Sequence, residues 1–481
     1  MSEIIRYDNY CHISQEEDLK LFKELDKHLS YKILGAKYSK AYQNHYWDGI
    51  DHIMSSTGKF PVGLYDRVID FYKQKNVVLT VVDKRSHPPL LNPIDISDKL
   101  ASLKKNPRYY QIEAVETAFS KEIGVLKAAT GCGKTVMIAM LVAKFGHKAI
   151  VYVIGKDLLH QTYNLFVSIF GSDLVGRIGD GFCDIKSINI ATIWSIGNVL
   201  GAKQEKLEDE DSEKEIDVSK KTIIENLLKE SIINILDECQ YSSTSTVRLI
   251  SKYIYSRYIF GLSASPWRDD GADMLIESFC GKIIFDLPAR KLIEQKFLIN
   301  PDIRFYKVPK YPKKKEQYQT VYSEYIVNNE YRNNLIIKGA KTLVAQGFKV
   351  LILFRTIKHG KILAGLLDGM RFGLLSGVDS YKKREKILQD IENDKLDIVV
   401  ASTIFDAGID CPPLSGLILA NGGKASAKCL QRVGRCVRID PNNPLKKTAI
   451  IDFIDDAPFL YDHSCKRRQI LSTEFNVKWP A

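Results

Sequence analysis

The chain has 481 residues, 45% hydrophobic and 26% charged, so it can bury two or three separate cores and is not disordered throughout. Its 69 Lys and Arg outnumber 58 Asp and Glu, giving a formal net charge of +11 that favours a polyanionic partner. No run approaches 18 apolar residues and the N-terminus is polar, which predicts a cytoplasmic protein without a membrane partner. Nine cysteines without any CxxC pair predict free thiols and no zinc ribbon.

Residues 1–95 are predicted to form a small separate α+β domain. The segment NVVLTVVD (76–83) is strand-like, and in the segment at 16–29 apolar residues recur at helical spacing. These apolar residues are Leu19, Phe22, Leu25 and Leu29. Three prolines in KRSHPPLLNPIDI then fix the backbone and remove donors, which predicts a linker into the next domain.

Two α/β lobes are predicted next, at 96–286 and 287–455. In each, short apolar runs rich in β-branched residues alternate with helical stretches, the pattern of a parallel sheet wrapped by helices. The predicted strands of the first lobe are GVLKA, KAIVYVI, SINIATI, INILDE and YIFGLSA. Those of the second are KVLILF, FGLLSG, LDIVVAS, GLILAN and TAIIDFI. A polar acidic stretch at 203–221 is predicted to be solvated, and 456–481 to be a C-terminal tail; neither is assigned a role.

The segment AATGCGKT (128–135) follows the first of these strands and has the composition of a phosphate-binding loop. Gly131 and Gly133 lack the Cβ that would keep backbone N–H groups from converging on phosphate oxygens. Lys134 supplies a cation for the β- and γ-phosphates and Thr135 a hydroxyl for Mg²⁺. Ala128 stands where the usual pattern has its first glycine. Taken by itself, this segment could therefore also be a flexible loop without function.

A second apolar strand ends in adjacent carboxylates, in INILDECQ (233–240). This position suits Asp237 for binding Mg²⁺ and Glu238 for polarising an attacking water. The alternative is a surface acidic pair. Together with the phosphate loop, the motif predicts an ATP hydrolase.

Positive charge for the transferred phosphoryl group is predicted in QRVGRCVR (431–438), in the second lobe. Arg435 and Arg438 are three residues apart, so on a helix they share a face, and Gln431 precedes them by one turn. The alternative is a solvated basic helix.

Over residues 100–455, the order and spacing of these segments resemble the superfamily 2 helicases and translocases. RYYQ (108–111) is similar to the family's adenine-reading segment, GLSASP (261–266) to its coupling motif and VVASTIFDAGID (399–410) to its fifth motif. The resemblance implies an α/β fold with two tandem RecA-like lobes, and ATP and Mg²⁺ as cofactors. The nucleotide-binding residues it implies are Gln111, Thr130, Gly131, Gly133, Lys134, Thr135 and Asp410. The catalytic residues it implies are Lys134, Asp237, Glu238, Gln431, Arg435 and Arg438.

The same resemblance implies how hydrolysis is coupled to nucleic acid. Ser263 and Ser265 are the residues expected to couple the γ-phosphate to the grip on the strand. Thr192 and Thr403, at the ends of predicted strands, are expected to hold backbone phosphates, which carry no sequence information.

The N-terminal segments NHYWDGI (44–50) and GLYDRVIDFYK (63–73) resemble the DNA-binding module of the bacteriophage UvsW-type branched-DNA helicases. This implies a helicase or translocase for forks and Holliday junctions, with DNA as its partner and the host cytoplasm as its location if the protein is phage-encoded. No partner protein is implied. Trp47 is the candidate DNA contact here; its alternative is to pin a turn.

Two other functions stay open. A DEAD/DEAH-type RNA helicase is disfavoured because Gln240 stands where that group has Asp or His. An ATP-switched clamp that binds DNA without unwinding it is compatible with intact motifs, because a fold does not prove a function.

Overall fold

The computed structural model describes the chain except residues 1, 15–18, 87–89, 147, 203–216, 242–244, 268–272, 313–315, 378, 403–410, 412, 424–425, 441–442 and 481. Contacts divide the chain into two compact units, and the boundary between Asp286 and Leu287 separates the first lobe from the second. None of the helices in the described parts is both long and apolar enough to span a membrane.

The N-terminal module is a mixed four-stranded sheet with three helices and a separate pair of short strands. Its strands are β1 (Ser2–Arg6), β2 (Tyr10–Ile13), β3 (Ser30–Lys32), β4 (Ile50–His52), β5 (Lys59–Pro61) and β6 (Leu79–Asp83). Its helices are α1 (Leu19–His28), α2 (Lys40–Gln43) and α3 (Tyr65–Gln74). The sheet order is β5-β2-β1-β6, while β3 and β4 pair separately.

Helix α1 covers that sheet through the apolar face that its sequence predicts. Leu25 and Leu29 are fully buried in the module core with Ile4 and Phe60, whereas Leu19, at the start of the helix, is exposed. The predicted small N-terminal domain is therefore confirmed, with one fewer core position than expected.

The first lobe, built around one eight-stranded sheet, follows the module. Its strands are β7 (Ile123–Ala128), β8 (Ala149–Val153), β9 (Val175–Gly179), β10 (Phe182–Asp184), β11 (Ile188–Thr192), β12 (Ile233–Asp237), β13 (Tyr258–Ser263) and β14 (Ile283–Leu287). Its helices are α4 (Ser97–Ser102), α5 (Tyr109–Lys121), α6 (Lys134–Phe145), α7 (Lys156–Phe170), α8 (Ile193–Leu200), α9 (Lys221–Glu230), α10 (Ser245–Ser251) and α11 (Asp273–Cys280).

The order of this sheet places three motif-bearing strand ends side by side. The order is β10-β9-β11-β8-β12-β13-β7-β14, and β12, β13 and β7 run parallel. Asp237 is in register with Leu262, and Ser263 with Lys127. Because carboxyl ends of parallel strands meet at one edge, the coupling motif after β13 lies between the acidic motif and the phosphate loop.

The second lobe has a seven-stranded sheet whose neighbouring strands are all parallel. Its strands are β15 (Asp302–Val308), β16 (Lys349–Phe354), β17 (Phe372–Leu375), β18 (Ile398–Ser402), β19 (Leu414–Leu419), β20 (Ala449–Asp455) and β21 (Val477–Lys478). Its helices are α12 (Ala289–Glu294), α13 (Tyr318–Tyr322), α14 (Glu330–Ala345), α15 (Ile357–Leu366), α16 (Tyr381–Glu392), α17 (Ser426–Cys436) and α18 (Leu460–Glu474). The predicted pair of parallel-sheet lobes is confirmed.

The segment at 456–481 is an integral part of the second lobe, so describing it as a tail was wrong. Helix α18 buries Leu460 and Leu471, and β21 pairs with β15 at the sheet edge. Arg467 is buried and its Nε donates to Asp452 Oδ2 at 2.9 Å, so its charge is paired inside the lobe.

Candidate nucleotide-binding site and its coupling network

The loop between β7 and α6 has the backbone that a phosphate site requires. Gly131 and Gly133 have φ values of +90° and +85°, a left-handed conformation that other residues rarely adopt. Helix α6 begins at Lys134, so its unpaired N–H groups face the loop and attract anions. Thr130 Oγ1 is buried and has no hydrogen-bond partner among the described residues. These features fit a bound triphosphate.

Gln111 supports this loop from the neighbouring helix α5. Its Oε1 accepts from the Arg108 backbone N–H at 2.8 Å, and its Nε2 donates to the Gly133 carbonyl at 3.4 Å. A Cβ on Gly133 would lie 2.5 Å from that nitrogen, so glycine is needed there for packing as well. Gln111 is buried and braces the phosphate loop; its contact with adenine stays a prediction.

Lys134 and Glu238 form an ion pair at the centre of the site. The distance from Lys134 Nζ to Glu238 Oε1 is 3.1 Å, and both side chains are largely shielded from solvent. Glu238 has a φ of +55°, which is uncommon for a residue with a Cβ, and its N–H donates to Asp237 Oδ1 at 3.0 Å. Strained backbone of this kind clusters at functional sites because it aims a side chain.

Asp237 has an electrostatic environment that resists ionisation. Burial and the adjacent negative charge of Glu238 raise the pKa of Asp237 to about 6, although Lys134 opposes the shift. A divalent cation would stabilise the ionised form of Asp237 and displace its proton. The carboxylate of Asp237 and the hydroxyl of Thr135 are oxygen donors that fit Mg²⁺.

We expect Mg²⁺ binding to weaken below pH 6, because the proton on Asp237 competes with the metal. A carboxyl group whose pKa is raised is mostly protonated below that pKa. The apparent affinity for Mg²⁺ should therefore fall by up to about tenfold for each pH unit below the pKa of Asp237. Calorimetric titration of Mg²⁺ with a non-hydrolysable ATP analogue between pH 7.5 and 5 measures this. In Glu238→Gln, the pH at which Mg²⁺ affinity falls should be lower. Protonation of the nucleotide phosphates also weakens Mg²⁺ binding, but it does so equally for both proteins and cannot cause a difference between them. If the two proteins lose Mg²⁺ affinity at the same pH, Asp237 is not the group whose proton competes with the metal.

A buried hydrogen-bond chain connects the acidic motif to the coupling motif. Gln240 Nε2 donates to Glu238 Oε2 at 3.0 Å, and Ser263 Oγ donates to Gln240 Oε1 at 2.6 Å. Ser263 Oγ in turn accepts from the Ser265 backbone N–H at 2.9 Å. Gln240, Ser263 and Ser265 are all buried. Sequence reasoning did not select Gln240 as a site residue, although its place directly after the carboxylates was a usable signal.

In the second lobe, Gln431 and Arg435 lie on α17, whereas Arg438 does not. The helix ends at Cys436, and Arg438 forms a β-bridge with Leu298. The Val437 carbonyl accepts from Ile299 N–H at 2.8 Å. The prediction that Arg435 and Arg438 share a helical face is therefore wrong, because pairing with the 298–299 segment takes the chain out of the helix.

Two buried arginines position the segment that leads to α17. Arg332 Nη1 donates to the Ala420 carbonyl and Arg467 Nη1 to the Gly423 carbonyl, each at 2.8 Å. Asp455 binds Arg332 Nε at 2.8 Å, and Asp452 neutralises Arg467. Sequence reasoning missed both arginines as contributors to the site, because no motif marks them and their partners are distant in the chain.

Three family models match consecutive parts of the chain. They are described as the N-terminal part of the DNA helicase UvsW (residues 3–82), the res subunit of type III restriction enzymes (104–268) and the conserved C-terminal helicase domain (332–440). The chain therefore combines a UvsW-type N-terminal module with the two motor domains of a superfamily 2 helicase. It is an ATP-dependent DNA helicase or translocase.

Individual proteins similar to this helicase cover most of its length. The DNA 3'-5' translocase XPB2 of Sulfurisphaera tokodaii is 23% identical over 448 residues, covering 84% of this chain and 92% of that protein. The crystal structure of bacteriophage T4 UvsW covers 99% of this chain and 98% of its own, at 19% identity and a TM-score of 0.46. Saccharomyces cerevisiae Dbp5, bound to RNA and ADP BeF3, covers 79% and 91% at 14% identity and a TM-score of 0.55, which shows a shared fold.

Two of the residues predicted to bind DNA make their hydrogen bonds within the protein. Thr192 is fully buried; its Oγ1 caps α8 by accepting from Ser195 N–H at 3.3 Å. A phosphate contact needs an accessible side chain, so Thr192 orients α8 in this conformation. Trp47 is half-buried and its Nε1 donates to the Ile50 carbonyl at 2.8 Å, which is the turn-pinning alternative. Thr403 and Asp410 lie outside the described residues.

Proposed function

We propose that this protein is an ATP-driven motor that remodels branched DNA, such as forks and four-way junctions, in the cytoplasm. The observation that carries the proposal is the fixed attachment of the UvsW module to the first motor lobe. Arg67 Nε donates to Glu277 Oε2 at 2.9 Å, and a Cβ on Gly63 would meet the Glu277 carbonyl at 2.2 Å. A module in such close contact moves with the lobe, as a branch-engaging part of a motor must.

A second set of ion pairs supports the same attachment. Glu122 on the first lobe accepts from Arg85 Nη1 at 2.7 Å and from Arg257 Nε at 2.6 Å. Arg85 is largely buried and also binds Asp83, at the end of β6. Buried, multiply bonded ion pairs of this type fix geometry because breaking one side leaves a charge unpaired.

In the proposed mechanism, Lys134 leaves Glu238 to bind the β- and γ-phosphates, and Glu238 is then available to orient the attacking water. Thr135 and Asp237 would hold Mg²⁺, which when bound neutralises charge that develops on the phosphates. Arg435 and Arg438 would add positive charge from the second lobe, and Gln431 would add a neutral hydrogen-bonding amide. Nucleotide would thus favour a closed state and hydrolysis would release it.

The Glu238–Gln240–Ser263 chain would couple hydrolysis to the segment that follows β13. When Glu238 exchanges Lys134 for water, the acceptor available to Gln240 changes, and Ser263 must adjust with it. We propose that this adjustment moves the backbone after β13, where Ser265 follows.

The proposal is tested by the steady-state ATPase rate at one fixed salt concentration. The full chain is assayed alone and with single-stranded DNA, linear duplex, a four-way junction or single-stranded RNA. Strongest stimulation by the junction is expected, together with junction unwinding that Lys134→Ala abolishes while DNA affinity is retained. Greater stimulation by RNA would overturn the assignment of DNA as the substrate. Stimulation by DNA without unwinding would favour an ATP-switched clamp. Deleting the module is a poor test, because it removes the partners of Glu277 and Glu122.

A further inference from the structure

The 15-residue segment Lys32–Tyr46, here called the arm, exposes an unusual amount of apolar surface. It connects β3 to β4, and its exposed fractions are 72% for Leu34, 76% for Tyr38 and 85% for Tyr46, with Tyr42 at 40%. Single exposed hydrophobic residues are common on proteins, but these four and Ile33, which is 39% exposed, lie in one short segment and indicate a binding surface.

Charge identifies the kind of partner. The arm carries Lys32, Lys37 and Lys40, all exposed, and no Asp or Glu occurs between Asp26 and Asp48. Lys37 Nζ lies 5.1 Å from the centroid of the Tyr38 ring. Aromatic faces interleaved with lysines suit a polyanion that has flat apolar faces, which is nucleic acid with accessible bases.

The turn that follows the arm packs against it. Asp48 Oδ1 accepts from the Ile50 N–H at 2.9 Å, and the Trp47 indole donates to the Ile50 carbonyl. Gly49 has a φ of +81°, and a Cβ there would lie 3.1 Å from the Tyr42 ring. Glycine therefore lets the turn pack directly behind Tyr42, and this explains the Trp-Asp-Gly sequence without a DNA contact by Trp47.

The base of the arm is bonded to the motor. Asp51 on β4 accepts from Tyr31 OH on β3 and from Arg248 Nη1 on α10 of the first lobe, both at 2.8 Å. The base of the arm is therefore linked to the first lobe through a single shared carboxylate.

We propose that the arm is the strand-separating element of this helicase, with Tyr38 and Tyr46 stacking on the bases exposed at a DNA branch point. Lys32, Lys37 and Lys40 bind the flanking phosphates. The inference rests on the proposed function, since a branch point is its substrate. The arm would recognise the branch, whereas the motor motifs act on any strand.

The test uses the full chain and a forked DNA that carries 2-aminopurine at the last paired base of the branch. Without nucleotide, the wild-type protein should quench this fluorescence by stacking. Tyr38→Ala/Tyr46→Ala should abolish the quench and slow fork unwinding at least about tenfold, because stacking contributes that much per base. Tyr38→Phe/Tyr46→Phe should restore both, and ATPase without DNA should be unchanged in every variant. The matched control is Tyr331→Ala/Tyr461→Ala, which removes two exposed tyrosines of the second lobe.

The outcomes separate the inference from the proposed function. If the wild-type protein unwinds forks and the arm variant does so equally well with the quench intact, the arm is not the strand-separating element, but the proposed function stands. If the wild-type protein does not act on branched DNA, the proposed function fails. An arm variant that changes sedimentation of the protein but not its quench would assign the surface to a protein contact and overturn the inference.

Discussion

Replacing Glu238 with Gln is expected to reduce ATP turnover by about 10² to 10⁴-fold, the usual contribution of a positioned general base. Glu238 follows β12 in a left-handed conformation that aims its side chain at Lys134 and Gln240. Glutamine keeps that shape and loses the negative charge, so it cannot polarise a water for attack.

The same substitution is expected to leave ATP binding intact or tighten it. In the wild-type protein the triphosphate competes with Glu238 for Lys134, a competition that a neutral side chain weakens. The charge of Glu238 also raises the pKa of Asp237, so its removal favours the ionised form of Asp237 that binds Mg²⁺.

Turnover is measured by phosphate release with junction DNA, and affinity by titration with a fluorescent ATP analogue. Glu230→Gln is the matched control; Glu230 is an exposed acid just before β12, paired across the surface with Lys148. It should leave both quantities unchanged. A parallel loss of affinity and turnover in Glu238→Gln would show that this residue supports the loop and is not the base.

Much of the two lobes was predictable, because their central strands are short apolar runs with motifs at their carboxyl ends. All ten predicted strands occur, from β7 to β20. Two of the strands that were missed lack such a run. The strand β9 reads VGRIG, with two glycines and an arginine, and β15 reads DIRFYKV, with alternate residues exposed. The two-residue strand β21 exists only because β15 lies beside it.

The site was predictable where one motif carries the chemistry and unpredictable where partners come from distant segments. Lys134 and Glu238 are 104 residues apart, yet each follows its own strand, so the sheet brings them together. Arg332 pairs with Asp455 across 123 residues and has no local pattern to mark it. Arg438 was misplaced for the same reason, since its bridge to Leu298 overrides a helical spacing that looked continuous.

Arg435→Ala is expected to cause the largest loss, about 10³ to 10⁵-fold in ATP turnover, if this residue neutralises the transferred phosphoryl group. Arg435 is buried on the last turn of α17, one turn after Gln431. Its position depends on the preceding segment, which Arg332 and Arg467 fix through the Ala420 and Gly423 carbonyls.

Because charge develops on the phosphoryl group mainly in the transition state, nucleotide affinity should change by only a few-fold in Arg435→Ala. Single-turnover hydrolysis and nucleotide titration separate the two quantities. Arg435→Lys should recover little, because a lysine lacks the planar fork that binds two phosphate oxygens. Arg371→Ala, which removes an exposed arginine paired with Asp397 in the same lobe, should leave turnover unchanged. Comparable loss of affinity and turnover in Arg435→Ala would instead mean that this arginine holds the lobe together, and the catalytic charge would then have to come from Arg438.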